Sequence, residues 1–163
     1  MTRIASPAEL YAHAIAIERE AAERYAELAQ RMQDEGRDAL AAVFGGLAAA
    51  EAGHLEVLLR RTEGVALPAL PPGAYQWLDE GAPETAAREL IFRLLTPRLA
   101  LRIALEAEQR AQAFFEGVFM TARDPALRML AQEMAAEEQA HVVLIEELLE
   151  HTPEPTLEQV IFP

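Results

Sequence analysis

The sequence predicts an all-α protein built as a four-helix bundle, with one long crossover connection between helices 2 and 3. Hydrophobic residues make up 52% of the 163 residues but aromatic residues only 6%, and Ala and Leu outnumber the β-branched types, which is typical of helices. Four long segments show helical apolar periodicity, and short turns join them in two pairs. We therefore expect two antiparallel helical hairpins.

Three of the four helix starts share a capping side chain followed by proline at the first helical position. These starts are Ser6-Pro7, Thr96-Pro97 and Asp124-Pro125. The predicted helices span residues 7–33, 38–62, 97–122 and 125–150.

The segment between the two hairpins is rich in proline and glycine. We predict that residues 63–96 form the crossover and include a short helix, since this length can recross a bundle about 40 Å long at about 1.5 Å per helical residue. One domain is predicted over residues 1–152, followed by a C-terminal tail over 153–163.

The charge balance bears on possible partners. The chain has 27 acidic and 14 basic residues and a net charge of -13, which predicts no nucleic acid and no anionic membrane as partner. It has no cysteine, which excludes disulfides and iron-sulfur clusters. The first residues lack an apolar signal segment, and the uncharged run 39–50 is too short to span a bilayer. We expect a cytoplasmic protein.

Each apolar stripe is interrupted in mid-helix by a glutamate, and helices 2 and 4 add a histidine three residues later. The interrupting residues are Glu18, Glu51, His54, Glu108, Glu138 and His141. Burying four carboxylates without cations costs several kcal/mol per ion, and no arginine lies on these stripes. Two divalent ions would balance four carboxylates, with one histidine nitrogen for each ion. The pattern predicts a dinuclear metal site.

The two halves of the chain look like an internal repeat, because an aromatic residue follows the first glutamate of each half by seven positions. This residue is Tyr25 in the first half and Phe115 in the second. Tyr25 is predicted to be either a core residue or a phenol that hydrogen-bonds a ligand carboxylate. Other glutamates fall off the stripes and are predicted to be solvated: Glu20, Glu23, Glu106, Glu137, Glu146 and Glu147.

Four motifs carry a resemblance to a known family. They are EREAAERY at 18–25, EAGH at 51–54, EQRAQAFF at 108–115 and EQAH at 138–141. By these motifs the chain resembles rubrerythrin-type diiron proteins, which are ferritin-like bundles, over residues 7–150. The resemblance implies that the six residues named above bind two iron ions and that the protein forms a homodimer or larger homo-oligomer. It also implies a non-haem diiron oxidoreductase involved in oxidative stress.

The chain departs from rubrerythrins in two ways. Their additional glutamate one turn after the helix-3 ligand is replaced by Ala111. Their cysteine-rich rubredoxin module has no counterpart, so we expect a separate electron-donor protein. Ala52 stands where haem-binding bacterioferritins carry methionine, so no haem is expected.

The expected reaction is reduction of peroxide or O2, with two electrons passing from a reduced iron pair to the O–O bond. Glu51 and Glu138 are predicted to bridge the metals, and Glu18 and Glu108 to bind terminally. Iron is favoured by the carboxylate-rich ligand set, with manganese and zinc as alternatives. Three other functions stay open: a ferroxidase, a small-molecule hydroxylase, and a structural bundle that holds zinc or no metal.

Overall fold

The computed structural model describes residues 4–70 and 96–153, and four α-helices account for most of them. They are α1 (Pro7–Asp34), α2 (Asp38–Arg61), α3 (Pro97–Thr121) and α4 (Pro125–His151). The predicted boundaries agree with these to within one residue, and the all-α bundle is confirmed. The short crossover helix and the tail beyond residue 153 lie outside the described residues and stay predictions.

Side-chain caps fix the starts of three helices, as the sequence predicts. Ser6 accepts a hydrogen bond from the Glu9 N–H at 3.2 Å, while the Glu9 carboxylate accepts one from the Ala5 N–H at 2.8 Å. Thr96 and Asp124 cap α3 and α4 in the same way. Helix α2 has no side-chain cap and follows a tight turn in which Gly36 adopts φ of 72°. Local chemistry therefore sets where each helix begins.

The helices pair as two hairpins, α1 with α2 and α3 with α4. A cavity of about 510 Å³ is lined by residues 36–40, 96–98 and 152–153, so the α1–α2 turn, the start of α3 and the end of α4 share one end of the bundle. Helix α2 ends at the opposite end, where Leu58 packs in one cluster with Leu10 of α1 and Leu127 of α4. The end of α2 and the start of α3 therefore lie at opposite ends of the bundle.

Two apolar clusters fill the interior, one towards each end. The first is built mainly from the start of α1 and of α4 and the end of α2 and of α3, and includes Leu10, Leu58, Phe115, Leu127 and Met134. The second includes Leu28, Met32, Phe44, Leu101 and Ile145. The six predicted ligand residues lie between these clusters along their helices. The bundle therefore encloses polar side chains between two apolar layers.

Helix α2 is the one helix in the described part of the chain that is long and apolar enough to cross a membrane, by length and composition alone. The uncharged run 39–50 alone is too short to span a bilayer, whereas all 24 residues of α2 together are long enough. The same helix directs Glu51 into the bundle and is linked to α4 by an ion pair between Arg61 and Glu133 at 2.6 Å. Core helices of bundles share this composition, since one face is buried and small alanines fill the flanks.

Candidate metal centre

All six predicted ligand residues come together in the middle of the bundle. The four glutamates are 1–3% exposed, an unusual degree of burial for carboxylates. They sit there because each occupies a position of the helical repeat that faces the core. The structure thus turns the interrupted stripes of four separate helices into one polar cluster.

The ligand atoms form two groups in which every atom lies within 4.8 Å of the others. We call these the inner group (Glu51, Glu108, Glu138 and His141) and the outer group (Glu18, Glu51 and His54). Glu51 belongs to both: its Oε1 lies 2.8 Å from His141 Nδ1 and its Oε2 lies 3.7 Å from His54 Nδ1. Glu51 is therefore placed where a carboxylate could bridge two ions. Glu138 falls in the inner group alone, and its bridging role stays a prediction.

Six buried polar atoms of this cluster make no hydrogen bond of acceptable geometry, although Glu51 Oε1 and His141 Nδ1 approach to 2.8 Å. Within the described residues, both carboxylate oxygens of Glu18, Oε1 of Glu51 and of Glu138, and Nδ1 of His54 and of His141 are buried without one. Leaving one such atom unsatisfied typically costs about 1–3 kcal/mol, so an unliganded concentration of them is unfavourable. Carboxylate oxygens and imidazole nitrogens directed at one point are the donor set of a metal site. The residues present fit a pair of divalent ions.

The two imidazoles stack face to face across the site, with ring centroids 5.4 Å apart and planes inclined by 15°. Close carboxylates of Glu18 and Glu51 raise the pKa of His54 to about 10. Burial alone would lower the pKa of His141, but Glu108 and Glu51 outweigh it and raise this pKa to about 10 as well. In the metal-free protein the neighbouring carboxylates therefore favour the protonated form of both rings.

The carboxyl groups differ in their affinity for protons. Burial raises the pKa of Glu18 to about 8 and raises that of Glu138 well above its ordinary range. Burial would also raise the pKa of Glu51, but contacts with His141 and His54 reverse the effect and lower it. The metal-free cluster therefore stores protons, which metal ions must displace because metal ligands bind in deprotonated form.

Tyr25 joins the two hairpins at the site. Its hydroxyl on α1 donates a hydrogen bond to Oε1 of Glu108 on α3, and its side chain is fully buried against Phe44 at a centroid distance of 6.3 Å. Burial and the neighbouring Glu108 raise the pKa of Tyr25 well above its usual value, so the phenol keeps its proton. A protonated phenol orients the carboxylate that accepts from it.

Glu137 differs from its prediction as a solvated residue, because it is half-buried next to the site. Burial raises the pKa of Glu137, and His54 is its strongest electrostatic neighbour. Periodicity misses this position because the residue lies beside the apolar stripe of α4. No pattern along α4 signals this burial; in the structure Glu133, four residues earlier on the same flank of α4, pairs with Arg61 of α2.

The rubrerythrin family model matches residues 9–68, which contain α1, α2 and the complete outer group. Among solved structures, an uncharacterized conserved protein from Magnetospirillum magnetotacticum MS-1 is 35% identical, with a TM-score of 0.83. The match covers 93% of this chain and 99% of that one. The chain belongs to the rubrerythrin family of ferritin-like proteins. A comparison with curated proteins found no match.

For this rubrerythrin-family chain, the family model and the structural match cover different lengths. The family model ends before α3, whereas the structural match extends over nearly the whole chain and therefore reaches the second hairpin. The fold that carries the candidate carboxylate and histidine site is accordingly shared over both hairpins.

Proposed function

We propose that this protein is a diiron-carboxylate oxidoreductase that reduces peroxide or O2 at two irons held by the inner and outer groups. The observation that carries the proposal is the set of buried carboxylate and imidazole atoms without hydrogen-bond partners, arranged as two groups that share Glu51. Carboxylate-rich sites with one histidine for each metal favour iron or manganese over zinc. Bound there, an iron pair would supply two electrons to break the O–O bond of peroxide, which with two protons yields two water molecules.

The surrounding residues support this chemistry. The two apolar clusters close the site towards both ends of the bundle. Tyr25 holds Glu108 in one orientation and keeps its own proton, because its pKa is raised. Burial raises the pKa of Glu18 and of Glu138, which favours their protonated forms until cations bind.

Electrons must reach the site from outside this chain. The sequence contains no cysteine, so it cannot hold an iron-sulfur or rubredoxin-type centre. We propose a separate electron-donor protein as reductant. Homo-oligomer formation and a cytoplasmic location remain expectations from the sequence.

A ferroxidase is the second candidate, because one part of the site reaches solvent. The His54 side chain is 28% exposed, compared with 10% for His141. An ion next to His54 has a shorter path to bulk water, which suits a site that takes up and passes on Fe(II). The same ligands serve both reactions, so the fate of the iron separates the two candidates.

Anaerobic loading with Fe(II) followed by rapid mixing with H2O2 or O2 tests the proposal. We expect close to two irons per chain by elemental analysis and rapid oxidation of both by peroxide, with re-reduction by an added donor allowing further turnover. Continued oxidation of added Fe(II) beyond this amount, without any donor, identifies the ferroxidase. Less than half an equivalent of iron after loading contradicts the dinuclear site.

A matched pair of variants on α3 controls the experiment. Glu108→Gln removes a buried carboxylate of the inner group, whereas Glu106→Gln alters an exposed glutamate two residues earlier in α3. We expect Glu108→Gln to lose metal and peroxide reduction, and Glu106→Gln to keep both. Equal behaviour of the two variants would exclude Glu108 as a ligand.

A further inference from the structure

The two halves of the metal site differ in the number of side chains that they offer. The inner group has four residues, all buried, whereas the outer group has three, one of which is half-buried. More ligands and more negative charge hold a divalent cation more tightly, other things being equal. The internal repeat would have produced two equal positions, so the difference comes from the way the hairpins pack.

Solvent access follows the same division. His54 of the outer group is 28% exposed, while His141 of the inner group is 10% exposed. Glu137 adds a carboxylate beside His54, so that the solvent-exposed side of the outer group carries further negative charge. A cation approaching from solvent therefore meets the outer group first.

One substitution within the repeat reinforces the difference. Tyr25 donates a hydrogen bond to Glu108 of the inner group. The equivalent residue in the second half is Phe115, which has no hydroxyl to give Glu18 of the outer group. Both carboxylate oxygens of Glu18 accordingly lack a hydrogen-bond partner, whereas Glu108 is held in one orientation. A hydrogen-bond partner of a metal ligand, such as Tyr25 is for Glu108, typically changes metal affinity by about 10- to 100-fold.

We propose that the two metal positions differ in how readily they exchange metal: the inner group retains its ion, and the outer group exchanges its ion with solvent on the exposed side of His54. This inference rests on the proposed function, because it assumes that the cluster binds two ions. It goes further by assigning iron exchange to one named half of the site. The unequal number of ligands, the unequal exposure of the two histidines and the break in the repeat at Tyr25 and Phe115 together are the structural origin of the difference.

Titration of metal-free protein with Co(II), followed by calorimetry and by visible absorption, tests the inference without reference to enzyme activity. We expect two steps of one ion per chain each, with dissociation constants at least about tenfold apart. A chelator added to the loaded protein should remove one ion at least about tenfold faster than the other. Glu106→Gln, on the exposed face of α3, serves as the control and should behave as wild type.

Three variants assign the steps. His54→Ala should remove the weak step and keep the tight one, and His141→Ala should remove the tight one. Tyr25→Phe should weaken the tight step by about 10- to 100-fold and leave the weak step unchanged. Because this variant deletes a single hydroxyl from a side chain of the same shape, it tests the inference even if a histidine variant fails to fold.

The outcomes separate this inference from the proposed function. Two ions that bind with one affinity and leave at one rate overturn the inference and leave the dinuclear site intact. Loss of the weak step, rather than the tight one, in Tyr25→Phe also overturns it. Failure to bind any cobalt or iron overturns the proposed function and the inference together.

Discussion

The first and second hairpins offer similar ligands but contribute to the site in different ways. The first hairpin contains the whole outer group, with its half-exposed His54, whereas the inner group combines the second hairpin with Glu51. The second hairpin also has the glutamate that Tyr25 orients. An internal repeat can thus supply the same residue types twice, while exposure and one aromatic substitution make the two halves unequal.

The largest effect is expected at Glu51, where the two halves meet. Glu51→Ala should abolish binding of both ions, because this carboxylate belongs to both groups, and should reduce peroxide turnover by more than about 100-fold. Glu18→Ala should lose one ion and retain the other. Elemental analysis after iron loading measures both results. One fully retained ion in Glu51→Ala would show that Glu51 serves a single position.

The second effect is on stability. Binding to the folded state alone stabilises it by about 4 kcal/mol at a thousandfold excess over Kd. At about 2–4 °C per kcal/mol, the loaded protein should melt about 8–16 °C above the chelated one by calorimetry. His141→Ala should lose most of this increment, and His54→Ala should keep most of it. An unchanged melting temperature on chelation would indicate that the cluster is a structural network.

A third prediction concerns the pH dependence of the metal-free protein. A group whose pKa is raised by folding stabilises the folded state below its unfolded pKa, and this contribution is lost as pH rises through the folded pKa. The pKa of Glu18 rises from 4.5 to about 8, and those of His54 and His141 rise from 6.5 to about 10. The metal-free protein should therefore melt at a lower temperature at about pH 9 than at about pH 6.

Metal should reverse this trend, because bound ligands are deprotonated and cations replace the stored protons. The increase in melting temperature on loading should grow with pH over the same range. Calorimetry of loaded and chelated protein at three pH values gives the comparison. An increment that shrinks towards high pH would contradict the proton storage assigned to these groups.

The smallest effect is expected beside the outer group. Glu137→Gln removes a negative charge near His54 and should slow loading of the outer position a few-fold at low salt, with little change at high salt. Stopped-flow mixing with Co(II) measures the rate. Gln139, the exposed neighbour of Glu138, offers a control as Gln139→Ala. Unchanged rates for both steps at low salt would contradict a route that passes Glu137 on the outer side.

The sequence alone predicted the helices and the inward-facing positions of the six candidate ligand residues, because helix starts and the 3.6-residue repeat are local properties. It did not predict the unequal exposure of His54 and His141, or the burial of Glu137. These depend on how α2 and α4 approach each other, which a pattern along one helix does not contain. It also left the role of Tyr25 open, since its hydrogen-bond partner Glu108 lies on a different helix and comes close only in the folded bundle.

The composition of the inner group has a consequence for how the chain is held together. Glu51 lies on α2, while the other three members come from α3 and α4, so an ion bound there links two hairpins that each form from neighbouring segments. In a chain without cysteine, an ion bound there would act as a cross-link of the kind a disulfide provides, closing the long loop between Glu51 and Glu108. Loss of that ion would then weaken the attachment of the two hairpins to each other as well as empty the candidate site.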